Sequence, residues 1–204
     1  MPGAAVLVIA CGALAHEINA LRQANGWGHM HVQCLPADLH NTPAKIPEAV
    51  REKIRASREH YASVFVAYAD CGTSGRLDAV LAEEGIERLP GAHCYEVFAG
   101  QQAYQALSTA EPGTFYLTDF LVRHFDRLVI RGLGLDRHPE LLPTYFGNYT
   151  RVVYLAQLGG AQRVQAARAA AERLGLAFEH RSTGYGELVT KLQRVNERLM
   201  AWQD

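Results

Sequence analysis

The sequence predicts one α/β domain over residues 1–204, built on a mostly parallel sheet with helices on both faces: a three-layer, Rossmann-like arrangement. Three observations carry that expectation. Apolar, β-rich runs alternate along the chain with segments of helical period. The first run, Val6-Leu7-Val8-Ile9-Ala10, is apolar without alternation, as a strand covered on both faces must be. A chain of 204 residues with 49% hydrophobic and 20% charged residues is long and apolar enough to enclose a sizeable core.

The elements follow in order. After the first strand, Leu14, Ile18 and Leu21 recur at helical spacing, and Gly26 ends that helix. A second strand is expected at 31–35. A turn-rich stretch from Pro36 to Pro47 then leads into a helix through Val50, Ile54 and onward to His60, with Pro47 in its first turn. The third strand, Ser63 to Tyr68, is the clearest in the chain. A helix over 76–84 presents Leu77, Val80 and Leu81 on one face and stops at Gly85, and a short fourth strand fits 86–89. Thr118 caps a helix carrying Phe120, Leu121, Phe125 and Leu128, which ends at Gly132 or Gly134. Beyond it come a strand at 151–156, an Ala-rich helix at 161–174, a strand at 176–180 and a helix over 187–202. The irregular stretch 136–149 reads as an insertion, a lid or a subunit contact.

Composition excludes several classes of function. Twenty Lys and Arg against 21 Asp and Glu leave a net charge of −1, with no electrostatic footprint for nucleic acid or anionic lipid. No apolar run reaches the length of a membrane span. The start of the chain lacks the basic flank of a signal peptide, so the expectation is a cytoplasmic protein. In that compartment its four cysteines should be free thiols, metal ligands or catalytic groups rather than disulfides.

Their placement is the organising observation. Cys11 ends the first strand, Cys34 lies late in the second, Cys71 follows the third and Cys94 lies just past the fourth. In a parallel sheet those strand ends share one edge, where open α/β sheets bind ligands. The first and third units repeat a pattern of strand, Cys-Gly and helix, in Ile9-Ala10-Cys11-Gly12 and Ala69-Asp70-Cys71-Gly72. A thiol at a helix N-terminus is drawn toward thiolate, and two thiolates in one cleft repel unless a cation lies between them. We therefore expect Zn²⁺, which suits sulfur and imidazole, on Cys11, Cys71 and Cys94. Burial in the core is the ordinary fate of a free cysteine; the repeated Cys-Gly placement favours a site for Cys11 and Cys71, while packing is favoured for Cys34.

Around this set, His93 and Glu96 are expected to support ligand or proton transfer, and Asp70 to orient a ligand or act as a base. The turn Gly72-Thr73-Ser74 with Arg76, together with Gly12, reads equally as an anion-binding loop or as an ordinary capped turn. No dinucleotide fingerprint, P-loop or C-x-x-C motif is present. His16 and Glu17 read as surface helix residues, His40 as part of a polar turn on the same edge, and Asp119 as a partner of its helix dipole.

Several ordered strings carry a resemblance. Ala10-Cys11-Gly12-Ala13-Leu14, Ala69-Asp70-Cys71-Gly72-Thr73, His93-Cys94-Tyr95-Glu96, the run from Pro112 to Phe120, Gly132-Leu133-Gly134-Leu135-Asp136 and Phe146-Gly147-Asn148-Tyr149 resemble the prokaryotic domain-of-unknown-function family 1638 over nearly the whole chain. Members of that family often occur beside corrinoid proteins and methyltransferases of one-carbon metabolism. The resemblance thus implies corrinoid-linked methyl transfer, and assigns no residue a role.

Three expectations stand side by side. The first is a zinc-thiolate enzyme, or enzyme component, of methyl-group transfer acting on a small-molecule substrate. The second is a metal-free enzyme with Cys11 or Cys71 as nucleophile and His93 or His16 as base. The third is a non-catalytic binding module or chaperone for a corrinoid protein. Self-association into a homo-oligomer is compatible with each.

Overall fold

The computed structural model describes residues 5–201. The chain is α/β with wholly parallel sheets flanked by helices, as the strand–helix alternation predicts. The strands do not join a single sheet. They form two, in two compact units: one comprising residues 1–97 with 187–204, the other residues 98–186.

In the first unit, β1 (Val6–Cys11), β2 (Met30–Leu35), β3 (Ser63–Ala67) and β4 (Glu87–Arg88) lie in the order β2-β1-β3-β4. Helix α1 (Ala15–Ala24) links β1 to β2, α2 (Ile46–Ser57) links β2 to β3, and α3 (Arg76–Glu84) links β3 to β4. Central strand β1 is fully buried, with Val6 to Ala10 at zero exposure, which is why its sequence is apolar without alternation. Edge strand β2 leaves His31 and Cys34 exposed, so the expected packing of Cys34 is not found; it stands outward, in register with Ala10. The chain winds from β1 out to β2, then crosses back over β1 to reach β3. That reversal makes the carboxyl ends of β1 and β3 a topological switch point, the place where open α/β sheets form a ligand crevice. Helices α4 (Cys94–Ala99), which runs on into the second unit, and α9 (Leu188–Met200) complete the element list here.

The second unit holds β5 (Thr114–Thr118), β6 (Arg151–Ala156) and β7 (Ala177–Ser182) in sequential order, with α5 (Gln101–Ala110), α6 (Asp119–Arg123), α7 (Leu142–Phe146) and α8 (Ala161–Leu174). Strand β5 lies where the sequence suggested a turn leading to a helix cap; its Thr-Phe-Tyr-Leu-Thr run follows a Pro-Gly turn and pairs in register with β6. The single helix expected after Thr118 is two pieces, α6 and a π-helical turn at Asp126–Ile130. Residues 136–149 are tied into this unit, with Phe146 in its core and edge-to-face with Phe115 at 5.3 Å. At the end of β5, Asp119 is 3% exposed and accepts from Tyr154 Oη (2.6 Å), Gln157 N (3.1 Å), Leu158 N (3.0 Å) and Arg163 (2.7 Å). It is the anchor of the loop before α8, a larger role than that of a helix-dipole partner. Three strands taken in sequence contain no reversal, so this sheet lacks the switch point of the first.

Candidate functional site

The carboxyl edge of β1 and β3 gathers the sulfur atoms from separate βα units. Cys11 closes β1 and is 3% exposed; its Sγ accepts the N–H of Ala13 at 3.3 Å, capping the short turn at Gly12–Leu14. Gly12 follows, where a Cβ would crowd the carbonyl oxygen of Leu35 at 3.1 Å. Cys71, 6% exposed, adopts a left-handed backbone with φ of 51°. Such a conformation persists in a non-glycine residue only when its surroundings fix it. Here they do. The N–H groups of Asp70 and Cys71 donate to the carbonyls of Gly91 and Ala92 at 3.0 and 2.8 Å. The Gly91 carbonyl is in turn held by Arg88, which pairs with Asp78 at 2.6 and 2.9 Å and donates to the oxygens of Leu89 and Gly91. The same segment leads directly into Cys94 at the start of α4.

The three thiols share one electrostatic neighbourhood. Burial pushes Cys11 up to about 12, with the neighbouring Cys71 and Cys34 adding to the rise. Burial likewise raises Cys71 to about 11, and the charge of Asp70 works in the same direction. Cys94 is raised well above its ordinary value, first by burial and then by Cys71, Cys11 and Glu17. All are neutral thiols at neutral pH. The helix-terminus effect expected from sequence is outweighed by desolvation. All four cysteines are free.

The groups expected to assist them divide. Asp70 caps its own turn: burial opposes its charge, but bonds from Gly75 N (2.9 Å), Thr73 Oγ1 (2.8 Å) and Ser74 N (3.1 Å) hold it below the usual carboxylate range. Those N–H groups are thereby occupied, which is the capped-turn alternative for Gly72-Thr73-Ser74; Arg76 is exposed beside it. Glu96 reaches back to the N–H of Ala92 at 2.9 Å, closing the first turn of α4 where Gly91 leaves room for its carboxylate. His93 lies close enough to His40 to oppose the protonation of His40.

Three further residues belong to this edge. His40 lies 3.9 Å through Nδ1 from Cys11 Sγ and 3.0 Å from the Ala37 carbonyl. Since a carbonyl only accepts, Nδ1 carries the proton and Nε2 is the lone-pair nitrogen of the neutral ring. Burial keeps that ring neutral by lowering its proton affinity. Tyr68 has zero exposure, and its ring stacks on His40 at 6.3 Å and 11°. Glu17 is 3% exposed rather than on the surface, on the face that α1 turns inward with Ile18 and Leu21.

The donor chemistry suits a thiophilic cation. Among the described residues, though, no group of three His, Cys, Asp or Glu side chains stands in a metal-holding arrangement. Fold and site together define an α/β protein whose four-stranded sheet has a topological switch point with buried thiols at its carboxyl edge. The chain belongs to the family described as protein of unknown function (DUF1638), whose profile matches residues 34–192 and so covers Cys34, Cys71 and Cys94 but not Cys11. Neither the curated proteins nor the solved structures contain a match to it. Among the described residues no helix is long and apolar enough to cross a membrane.

Proposed function

We propose that the carboxyl edge of β1 and β3 takes a thiophilic cation, zinc foremost, on Cys11, Cys71 and Cys94, and that the protein is an enzyme or enzyme component of corrinoid-linked methyl transfer in the cytoplasm. One observation supports the cation: thiols from three separate segments lie at a single sheet edge, where burial opposes the ionisation of each and Cys71 opposes that of Cys11 and Cys94 further. A cation that displaces their protons offsets the repulsion that thiolates so placed would feel. Bound there, zinc supplies Lewis acidity and activates a substrate thiol. His40, with its lone pair on Nε2, is the group of this edge equipped to accept the proton such a substrate gives up. The metal-free nucleophile ranks lower, since an attacking cysteine needs a depressed pKa and these are raised. What supports methyl transfer is the family resemblance and its setting beside corrinoid proteins.

Zinc titration against a chelator, for the reduced protein and four Cys→Ser variants, tests the site. Cys11→Ser, Cys71→Ser and Cys94→Ser should each weaken binding strongly, and Cys34→Ser should retain it; equal affinity in all four removes the proposal. Loss of the methylcobalamin spectrum with a thiol acceptor, dependent on Cys71, tests the reaction class separately.

A further inference from the structure

Strand β7 closes one side of the three-stranded sheet in the second unit. β6 pairs along one edge of it, and among the described residues no strand pairs along the other. What that open edge presents follows from the backbone. A strand residue turns its N–H and C=O to the same side, and successive residues alternate. The N–H of Ala177 donates to the Thr150 carbonyl at 3.1 Å and that of Thr183 to the Ala156 carbonyl at 2.9 Å, so the odd-numbered positions face β6. Phe178, His180 and Ser182 therefore turn their backbone donors and acceptors outward. The side chains of His180, Arg181 and Ser182 are exposed. Such an open row is a template for another strand, and edge strands commonly carry charges that repel a copy. Here charges of both signs are spaced to attract one.

A two-fold axis normal to the sheet sets β7 antiparallel to a second β7 and brings side chains of the same face opposite each other. Only a register centred on Glu179 or on His180 then pairs most of the strand. Centred on Glu179, the carboxylate meets its own copy, and like charges directly opposite are destabilising. Centred on His180, each Phe178 meets Ser182 of the partner subunit and His180 meets its counterpart, all through outward backbone groups. Glu179 then meets Arg181 of the partner subunit at two symmetric positions, of the kind whose Cα atoms approach to about 4.5 Å. Within one chain Glu179 already accepts from Arg181 at 2.6 Å and from Arg151 at 2.9 Å. Acid and base thus alternate around the four side chains of the pair. We propose that β7 is a self-association edge, on which a second copy of this chain adds its own β7 antiparallel, centred on His180, to make one continuous sheet.

Sedimentation equilibrium of the full chain tests it, under reduction so that exposed Cys34 cannot cross-link copies. One strand pair is a small interface, so concentrations should reach about 1 mM. Wild type should show a reversible monomer–dimer equilibrium. Arg181→Glu places carboxylates opposite each other and Glu179→Arg places guanidinium groups so; each should weaken dimerisation roughly tenfold or more. An equimolar mixture of the two variants should dimerise again, because acid then faces base at both positions of the mixed pair. A wild type that stays monomeric throughout overturns the proposal and leaves the edge to an extended segment of another protein. Undiminished dimers in either variant, or a mixture no better than its components, overturn it as well, by placing the contact elsewhere or in another register. Should Glu179→Arg, which also faces Arg151, fail to fold, Arg181→Glu at its exposed position decides alone: weakened dimerisation supports the edge and full dimerisation refutes it.

Discussion

Cation uptake by thiols that start neutral must expel protons, and the structure fixes how many. With Cys11 raised to about 12 and Cys71 to about 11, ionised fractions at pH 7 are on the order of 10⁻⁵ and 10⁻⁴. Cys94, raised well above 9.0, adds another neutral thiol. Binding through all three therefore releases about three protons per ion, and affinity should rise about a thousandfold per pH unit around neutrality. Deprotonating Cys11 and Cys71 at pH 7 costs about 7 and about 6 kcal/mol, from about 1.4 kcal/mol per unit. These are orders of magnitude that the sulfur–metal bonds must exceed. Isothermal titration of Zn²⁺ into the reduced protein, repeated in buffers of different ionisation enthalpy, counts the protons directly. Release of fewer than about one proton, or affinity flat between pH 6.5 and pH 8, would refute the reasoning, because the sulfurs would then be ionised beforehand or not bound.

Other consequences follow from particular contacts. The pKa of Cys11 is raised from 9.0 in the chain to about 12 in the fold, so the stability linked to it is complete below about pH 9 and is lost as pH climbs toward 12. The metal-free Cys11→Ala variant should consequently lose less stability than wild type between pH 8 and pH 10.5, and parallel melting curves would contradict that. Asp119→Ala leaves the Arg163 guanidinium, the Tyr154 hydroxyl and two backbone N–H groups without their acceptor, and should destabilise the protein by about 3–5 kcal/mol in denaturant unfolding; a loss below about 1 kcal/mol would show the network to be dispensable. Arg88→Gln removes the paired bonds to Asp78 and should cost about 2 kcal/mol. It should also speed amide exchange at Asp70 and Cys71, and unchanged exchange there would break the proposed chain of support for the Cys71 turn.

Much of this was legible in the residues. The unbroken apolar run of β1 announced a strand buried on both faces, and Cys-Gly after two strands located the edge that the winding order then made a switch point. Glu17 was legible too, since Leu14, Glu17, Ile18 and Leu21 follow the 3.6-residue period and share a face; its charge argued for the surface against its own spacing. Asp70 and Glu96 carry the residue types of acids and bases, but both lie four residues from a backbone N–H that they accept, and capping is what they do. Tyr68 and His40 were hidden for another reason: the stacking of their rings, and a ring tautomer set by the Ala37 carbonyl, exist only once segments distant in sequence are folded together. The division of the strands into two sheets was equally hidden, because pairing between strands is non-local and β5 was disguised by its turn and aromatics.

The zinc-edge X-ray absorption spectrum of the loaded, reduced protein tests the cation site most directly. Coordination by the Cys11, Cys71 and Cys94 sulfurs predicts a scattering shell near ~2.3 Å, diminished in Cys71→Ser. A first shell made only of nitrogen or oxygen at about 2.0–2.1 Å, or failure of the protein to retain zinc through gel filtration, would contradict it.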